Sequence, residues 1–142
     1  MIKVDYEQLE PSDDHLVLVY EEMPFTGIAL EKSELGQMLT ETSFVNGQRN
    51  GISKEWSDSN VLIREQHFVF DALHGQARQW HDNGQIWTEG LYELGICLHE
   101  KEWNECGEIV RDYQLNEACE QFRTLLLLRS STIGQKVERG QI

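Results

Sequence analysis

Acidic side chains recur at a fixed interval along this chain. Glu41, Glu65, Glu89 and Asp112 lie 24, 24 and 23 residues apart. Two neighbouring carboxylates could serve as a general acid and a general base. A strictly periodic set is instead typical of a repeated structural unit that places one acid in each copy. We therefore predict no catalytic residue among them, but a negative strip that attracts lysine and arginine side chains of a partner.

The other residues capable of chemistry form no recognised site. The histidines have no HxH or HExxH spacing, and an odd number of cysteines without a CxxC pair predicts buried, reduced thiols. No nucleophile elbow or phosphate-binding glycine loop stands out. We therefore expect no metal, no other cofactor and no enzymatic activity. The residues concerned are His15, His67, His74, His81, His99, Cys97, Cys106 and Cys119.

The periodic acids belong to a longer repeat. Each copy reads as a short strand, a four-residue turn and a longer strand. Gly or Asn ends the turn, because these residues tolerate a positive φ best. Mostly aromatic residues recur four positions before and eight positions after that Gly or Asn. The three sets are Gly36, Asn60, Gly84 and Gly107; Lys32, Trp56, Trp80 and Trp103; and Phe44, Phe68, Tyr92 and Leu115.

The links between repeats are too short for anything but antiparallel neighbours. The sequence therefore predicts an all-β fold, an antiparallel meander of about four 23–24-residue β-hairpin repeats with one C-terminal capping helix. The hairpins would form an elongated, twisted sheet in which the Trp and Phe positions stack as ladders. These ladders would carry most of the apolar burial, because aromatic side chains cover the largest area.

We expect a single domain over the whole chain. Its predicted parts are an acidic N-terminal segment with an opening strand (1–24), the repeats (25–115), a helix (116–130) and a polar, mobile tail (131–142). Asn116 would cap the helix. Leu115, Cys119, Phe122 and Leu126 follow at spacings of three and four, which predicts one apolar stripe that covers the open end of the sheet.

The charge of the chain is strongly negative and unevenly distributed. It has 25 acidic and 12 basic residues and a net charge of −13, and residues 1–27 hold seven acids against Lys3. Such a surface repels nucleic acid and anionic lipid and attracts a basic protein, although it could also serve solubility alone. No signal peptide and no apolar run near the ~20 residues of a membrane span are present, so we expect a cytoplasmic location.

The units NGISKEWSDSN and HGQARQWHDNGQIWTEGLYELG resemble the MORN-repeat variant of bacterial proteins, in particular the YwqK-type antitoxin group. The shared motif is G-x-x-x-x-W-x-x-(N/G)-G-x-hydrophobic-x-x-E-x-x-aromatic, and the resemblance covers residues 25–115. The first copy has Lys32 in place of the Trp, and the fourth has Leu98 in place of the leading Gly. The resemblance implies a hairpin-repeat sheet that acts as a binding surface, and several members are thought to neutralise toxins encoded beside them.

These observations favour a non-enzymatic, protein-binding repeat protein. Our first hypothesis is an antitoxin or immunity protein that occludes a basic, nuclease-like toxin, with Glu65, Glu89 and Asp112 speeding the encounter and Tyr92 and Trp87 prolonging the contact. The alternative is a scaffolding module. It would form a homo-oligomer through its sheet edge or its C-terminal helix, held there by Phe122 and Leu126.

Overall fold

The computed structural model describes residues 1–140, which form twelve strands and two α-helices. The strands are β1 (Lys3–Asp5), β2 (Glu10–Pro11), β3 (Leu18–Tyr20), β4 (Met23–Pro24), β5 (Gly27–Lys32), β6 (Met38–Val45), β7 (Gln48–Trp56), β8 (Leu62–Val69), β9 (Ala72–Trp80), β10 (Ile86–Glu93), β11 (Ile96–Trp103) and β12 (Ile109–Gln114). The helices are α1 (Glu120–Ser130) and α2 (Thr132–Glu138).

Nine of these strands form one long sheet in the order β1-β5-β6-β7-β8-β9-β10-β11-β12. From β5 onward every strand pairs antiparallel with its neighbour in sequence, whereas β1 pairs parallel with β5. The predicted all-β meander of hairpin repeats is thus confirmed. The remaining strands, β2, β3 and β4, form a small separate sheet near the N-terminus.

The predicted four-residue turns lie in a row at one end of the strands, and we call this row one edge of the sheet. Gly36, Asn60, Gly84 and Gly107 end these turns with φ values of 82°, 62°, 85° and 82°. In each turn the backbone N–H of this residue donates to the carbonyl of the first turn residue. The side chains of Ser33, Ser57 and Asn104 also accept a backbone N–H four residues later. The predicted left-handed position is confirmed.

The opposite edge is formed by two-residue turns in which both residues have positive φ. These turns are Asn46-Gly47, Phe70-Asp71 and Leu94-Gly95. Asn-Gly is the dipeptide that such a hairpin turn favours, but Phe and Leu in this conformation are strained. Tertiary contacts hold Leu94 there, because its side chain is buried and its N–H donates to His74 Nδ1 at 3.1 Å.

The apolar core lies at the N-terminal end of the sheet. Val4, Phe25, Ala29 and Phe44 are buried together, where the small sheet packs on the first hairpin. Further along, the sheet is a single layer, and Phe68 is buried as predicted whereas the Trp ladder is only half-buried. The two predicted aromatic ladders therefore differ in burial: Phe44 and Phe68 are buried, whereas all three Trp side chains are half-buried.

The C-terminal helices depart from the prediction in three ways. Helix α1 begins at Glu120 rather than 116, because Asn116 instead forms a turn in which its side chain accepts the N–H of Ala118. Leu115, Cys119 and Phe122 of the predicted stripe are half-buried, but Leu126 is exposed and Leu125 is buried in its place, so the stripe was wrong at its C-terminal end. Residues Thr132–Glu138 of the expected mobile tail form α2, while residues 141–142 lie outside the described part of the chain.

The helix pair is fixed to the two-residue turns and does not lie along β12. Arg129 forms a two-pronged ion pair with Glu93, just before the Leu94-Gly95 turn. Gly134 allows α2 to approach α1 closely, since a Cβ there would lie 2.1 Å from the carbonyl oxygen of Leu128. The N-terminal sheet covers the remaining turn of this edge, where Leu18 donates its N–H to the Gly47 carbonyl at 2.9 Å.

Candidate interaction surfaces

The predicted acidic ladder does form a row across one face of the sheet, but it is not a negative strip. The strand register places a basic residue between each pair of successive acids, and the prediction was wrong on this point. The row runs Glu41, Lys54, Glu65, Arg78, Glu89, Lys101 and Asp112, each opposite the next on the neighbouring strand. We call this row the charge ladder.

Two acids of the charge ladder are paired directly. Lys54 Nζ lies 3.9 Å from Glu65 Oε2, and Arg78 Nε lies 3.0 Å from Glu89 Oε2. Both pairs are solvent-exposed and so contribute little to stability. The pairs nevertheless weaken the attraction of this row for a basic partner, because an approaching cation meets an acid and a base together. Within residues 1–140, Glu41 and Asp112 form no ion pair.

The two predicted aromatic contacts lie on the opposite face from the charge ladder. Tyr92 and Glu89 are three residues apart in a regular strand, so their side chains point to opposite faces. The Tyr92 hydroxyl donates to Glu100 Oε2 at 3.0 Å, and burial followed by this hydrogen bond raises the pKa of Tyr92. Trp87 stacks on His81 and donates from Nε1 to Glu102 Oε1 at 3.1 Å. The five predicted residues therefore belong to two surfaces.

A second periodic set of acids, which was not predicted, lies in the four-residue turns. The second residue of every four-residue turn is acidic, and all four side chains are exposed. None of them forms an ion pair among the described residues. Successive turns are two strands apart, so these carboxylates are spaced at roughly 9–10 Å along the edge. We call this set, Glu34, Asp58, Asp82 and Glu105, the turn-acid row.

A third group of acids surrounds the small N-terminal sheet. A recess of about 730 Å³ is lined in part by Glu10, Asp13, Glu21 and Glu22. Nearby, a hydrogen bond from Ser12 and the backbone N–H of Leu16 hold the pKa of Asp14 below its usual value. None of the seven acids in residues 1–27 forms an ion pair within the described chain.

The remaining candidate groups are the possible metal ligands, the cysteines and the helices. Residues 1–140 contain no group of three or more His, Cys, Asp or Glu side chains arranged to hold a metal ion. All three cysteines are free, but Cys106 is exposed and Cys97 and Cys119 are only half-buried, so the prediction of buried thiols was wrong. Neither of the two described helices is long and apolar enough to cross a membrane.

The repeat with the turn His81–Gly84 has a counterpart among known families. Residues 73–94 match the MORN repeat variant. The match begins in β9, runs through the four-residue turn and β10, and ends at Leu94 in the two-residue turn. MORN repeats are non-catalytic modules that generally bind proteins.

A longer part of the chain is similar to a solved structure. A solved structure titled "Crystal Structure of TarM" is similar with a TM-score of 0.40 and 15% sequence identity. The similarity covers 68% of this chain and only 19% of the TarM chain. Comparison with curated proteins found no match.

Proposed function

We propose that this chain is a protein-binding MORN-type repeat protein whose partner is basic. The observation that carries the proposal is the turn-acid row, four exposed carboxylates at a regular spacing that no cation of the described chain neutralises. The net charge of −13 extends the same attraction over the whole surface. Such a field raises the rate of encounter with a basic protein and is weakened by salt.

The partner that best fits this surface is a nuclease-like toxin, and the chain then acts in the cytoplasm as an antitoxin or immunity protein. A protein that handles nucleic acid presents Lys and Arg to the phosphate backbone. The turn-acid row offers those same side chains an alternative set of anions. Binding would occlude the active face of the toxin. The resemblance to the YwqK-type group supports this role.

The charge ladder contributes less to this encounter than the turn-acid row. Lys54 and Arg78 offset the field of Glu65 and Glu89, whereas Asp112 has no ion pair in residues 1–140. Tyr92 and Trp87 are proposed to act after the encounter, from the other face, as aromatic contacts that slow dissociation. Their replacement by Ala would raise the dissociation rate and leave the association rate unchanged.

The test is a pull-down with the tagged chain from its own cells, at low and at high salt, with the captured proteins identified by mass spectrometry. We expect one basic protein at low salt and less of it at high salt. The variant bait Asp58→Lys/Asp82→Lys should capture much less of this basic protein than the wild-type bait. The bait Glu65→Lys/Glu89→Lys has the same charge change in the same two repeats, and its capture of the basic protein should fall less. Equal losses would contradict the role of the turn-acid row.

A second candidate function is scaffolding by edge-to-edge assembly. It is favoured by β12, the last strand of the sheet, where Ile109 and Val110 are 55% and 58% exposed. Unpaired strand edges are templates for further strand pairing. Replacement of Val110 by Pro would remove a backbone donor and should abolish any such assembly in light scattering. An unchanged particle size in this variant would exclude the edge as the contact.

A further inference from the structure

The two ends of the chain carry opposite charges that are not neutralised within it. The seven acids of residues 1–27 face only Lys3 and form no ion pair in the described chain. At the other end, α1, α2 and the residue after them hold four cations, of which only Arg129 is paired. Arg123, Lys136 and Arg139 have no acidic partner among residues 1–140.

Both ends also expose apolar side chains beside these charges. The β3–β4 hairpin turns at Glu21-Glu22, and the next residue, Met23, is 68% exposed. On α1, Leu126 and Leu127 are 48% and 72% exposed and follow Arg123 by three and four residues, so they share its outer face. The hairpin end therefore combines an apolar surface with acids, whereas the helix end combines one with four cations and two acids, Glu120 and Glu138.

A recess next to α1 could receive an apolar side chain. It measures about 420 Å³ and is lined by Phe70, Ala72, Leu94, Leu128, Ser131, Thr132 and Ile133. Lys136 and Arg139 follow Thr132 by four and seven residues, which places them on the same side of α2. The lining of the recess is therefore mostly apolar and holds no charged side chain, and Lys136 and Arg139 lie beyond it along α2.

We propose that copies of this chain bind head to tail, with the β3–β4 hairpin of one copy inserted into the recess of the next. Met23 enters the recess, since an unbranched thioether adapts to irregular apolar gaps. Glu21 and Glu22 meet Lys136 and Arg139 beyond the recess. The occupant is a second copy because one chain supplies both complementary surfaces and neutralises neither. A contact between two different surfaces produces rings or open filaments.

The proposal is tested by sedimentation velocity of the full chain over a range of concentrations. We expect oligomers at low salt that dissociate at high salt, because these charges are exposed. The variants Glu21→Lys/Glu22→Lys and Lys136→Glu/Arg139→Glu should each be monomeric alone. A mixture of the two variants should associate again, since the reversed charges are complementary. Met23→Ser should weaken association about tenfold without any change in charge.

The control variant is Glu34→Lys/Asp58→Lys, which has the same charge change as the hairpin variant but lies on the opposite edge. It should still associate. A wild-type chain that stays monomeric at low salt would overturn the proposal. So would a Glu21→Lys/Glu22→Lys variant that associates as strongly as the wild type, because the contact would then not involve the acids of the hairpin. Neither result would affect the proposed binding of a basic partner through the turn-acid row.

Discussion

Gly47 and Gly95 occupy the same position in equivalent two-residue turns, and replacing each by Ala separates backbone strain from steric contact. Their φ values are 81° and 87°, so an added Cβ meets the same conformational penalty at both. At Gly95 the new atom would lie 3.8 Å from the Cβ of Ala72, an ordinary contact. At Gly47 it would lie 2.4 Å from the carbonyl oxygen of Leu18 and 2.6 Å from the Cβ of Val17.

The expected magnitudes follow from these distances. The left-handed conformation costs a residue with a Cβ about 1–2 kcal/mol. Ala recovers about 0.4–1 kcal/mol because it restricts the unfolded chain. Gly95→Ala should therefore destabilise by about 1 kcal/mol. Gly47→Ala should cost about 1–3 kcal/mol more, as overpacking does, because the backbone at Leu18 must move and cannot rotate away as a side chain would.

The assay is native-state hydrogen exchange, which resolves local opening in a repeat protein. In Gly47→Ala the amides of Leu18 and of residue 47 should exchange about ten- to a hundredfold faster, because the first donates to the carbonyl of residue 47 and the second to the carbonyl of Phe25. In Gly95→Ala they should be unchanged. Equal destabilisation of the two variants would mean that backbone strain alone accounts for both effects and that the contact with Leu18 costs nothing.

Three further outcomes are expected for the other elements. The hydrogen-bonded ion pair with Arg129 lowers the pKa of Glu93. The pair therefore stabilises the docking of the helices at pH values above the ordinary glutamate pKa. This stabilisation is lost as the pH falls through the lowered pKa of Glu93. Limited proteolysis should detect this loss, and Glu93→Gln should abolish its pH dependence. Leu125→Ala should weaken the helix pair by about 2–5 kcal/mol in denaturant titrations, whereas Leu127→Ala at the exposed face should change stability by less than about 0.5 kcal/mol. Lys54→Glu should lower stability, because the new acid would lie between Glu41 on β6 and Glu65 on β8. The loss is measured as a lower midpoint of thermal unfolding at low salt.

The fold could be predicted from the sequence because one residue position of each repeat decides its shape. Gly or Asn at the end of each four-residue turn favours a hairpin there, and an aromatic residue or Leu eight positions later marks the strand that follows. The partners of the acids could not be predicted in this way. Glu65 faces Lys54 and Arg78 because a β-bulge shifts the register of each strand pair. The shift lies between Glu55 and Trp56 in the β7–β8 pair and between Gln66 and Phe68 in the β8–β9 pair.

Other parts of the molecule depend on contacts that are distant in sequence. Phe70 and Leu94 adopt the left-handed conformation although their types disfavour it, because surrounding contacts outweigh the local preference. Similarly, α2 lies in a segment whose polar composition predicted no helix. The close approach of Gly134 to α1 and the cap provided by Ser131 stabilise it. Neither feature has a periodic signal in the sequence.

The edge formed by the two-residue turns has a consequence for the evolution of this chain. Hairpin repeats that contact only their neighbours can be duplicated or lost without harm to the rest of an array. Here, however, the N-terminal sheet occupies the Gly47 turn, and the helix pair lines one recess with the turns at Phe70 and Leu94. A duplicated unit would leave one turn uncovered, and a lost unit would leave one terminal segment without its docking place. The two ends of the chain therefore fix its copy number, although the repeats themselves would allow any length.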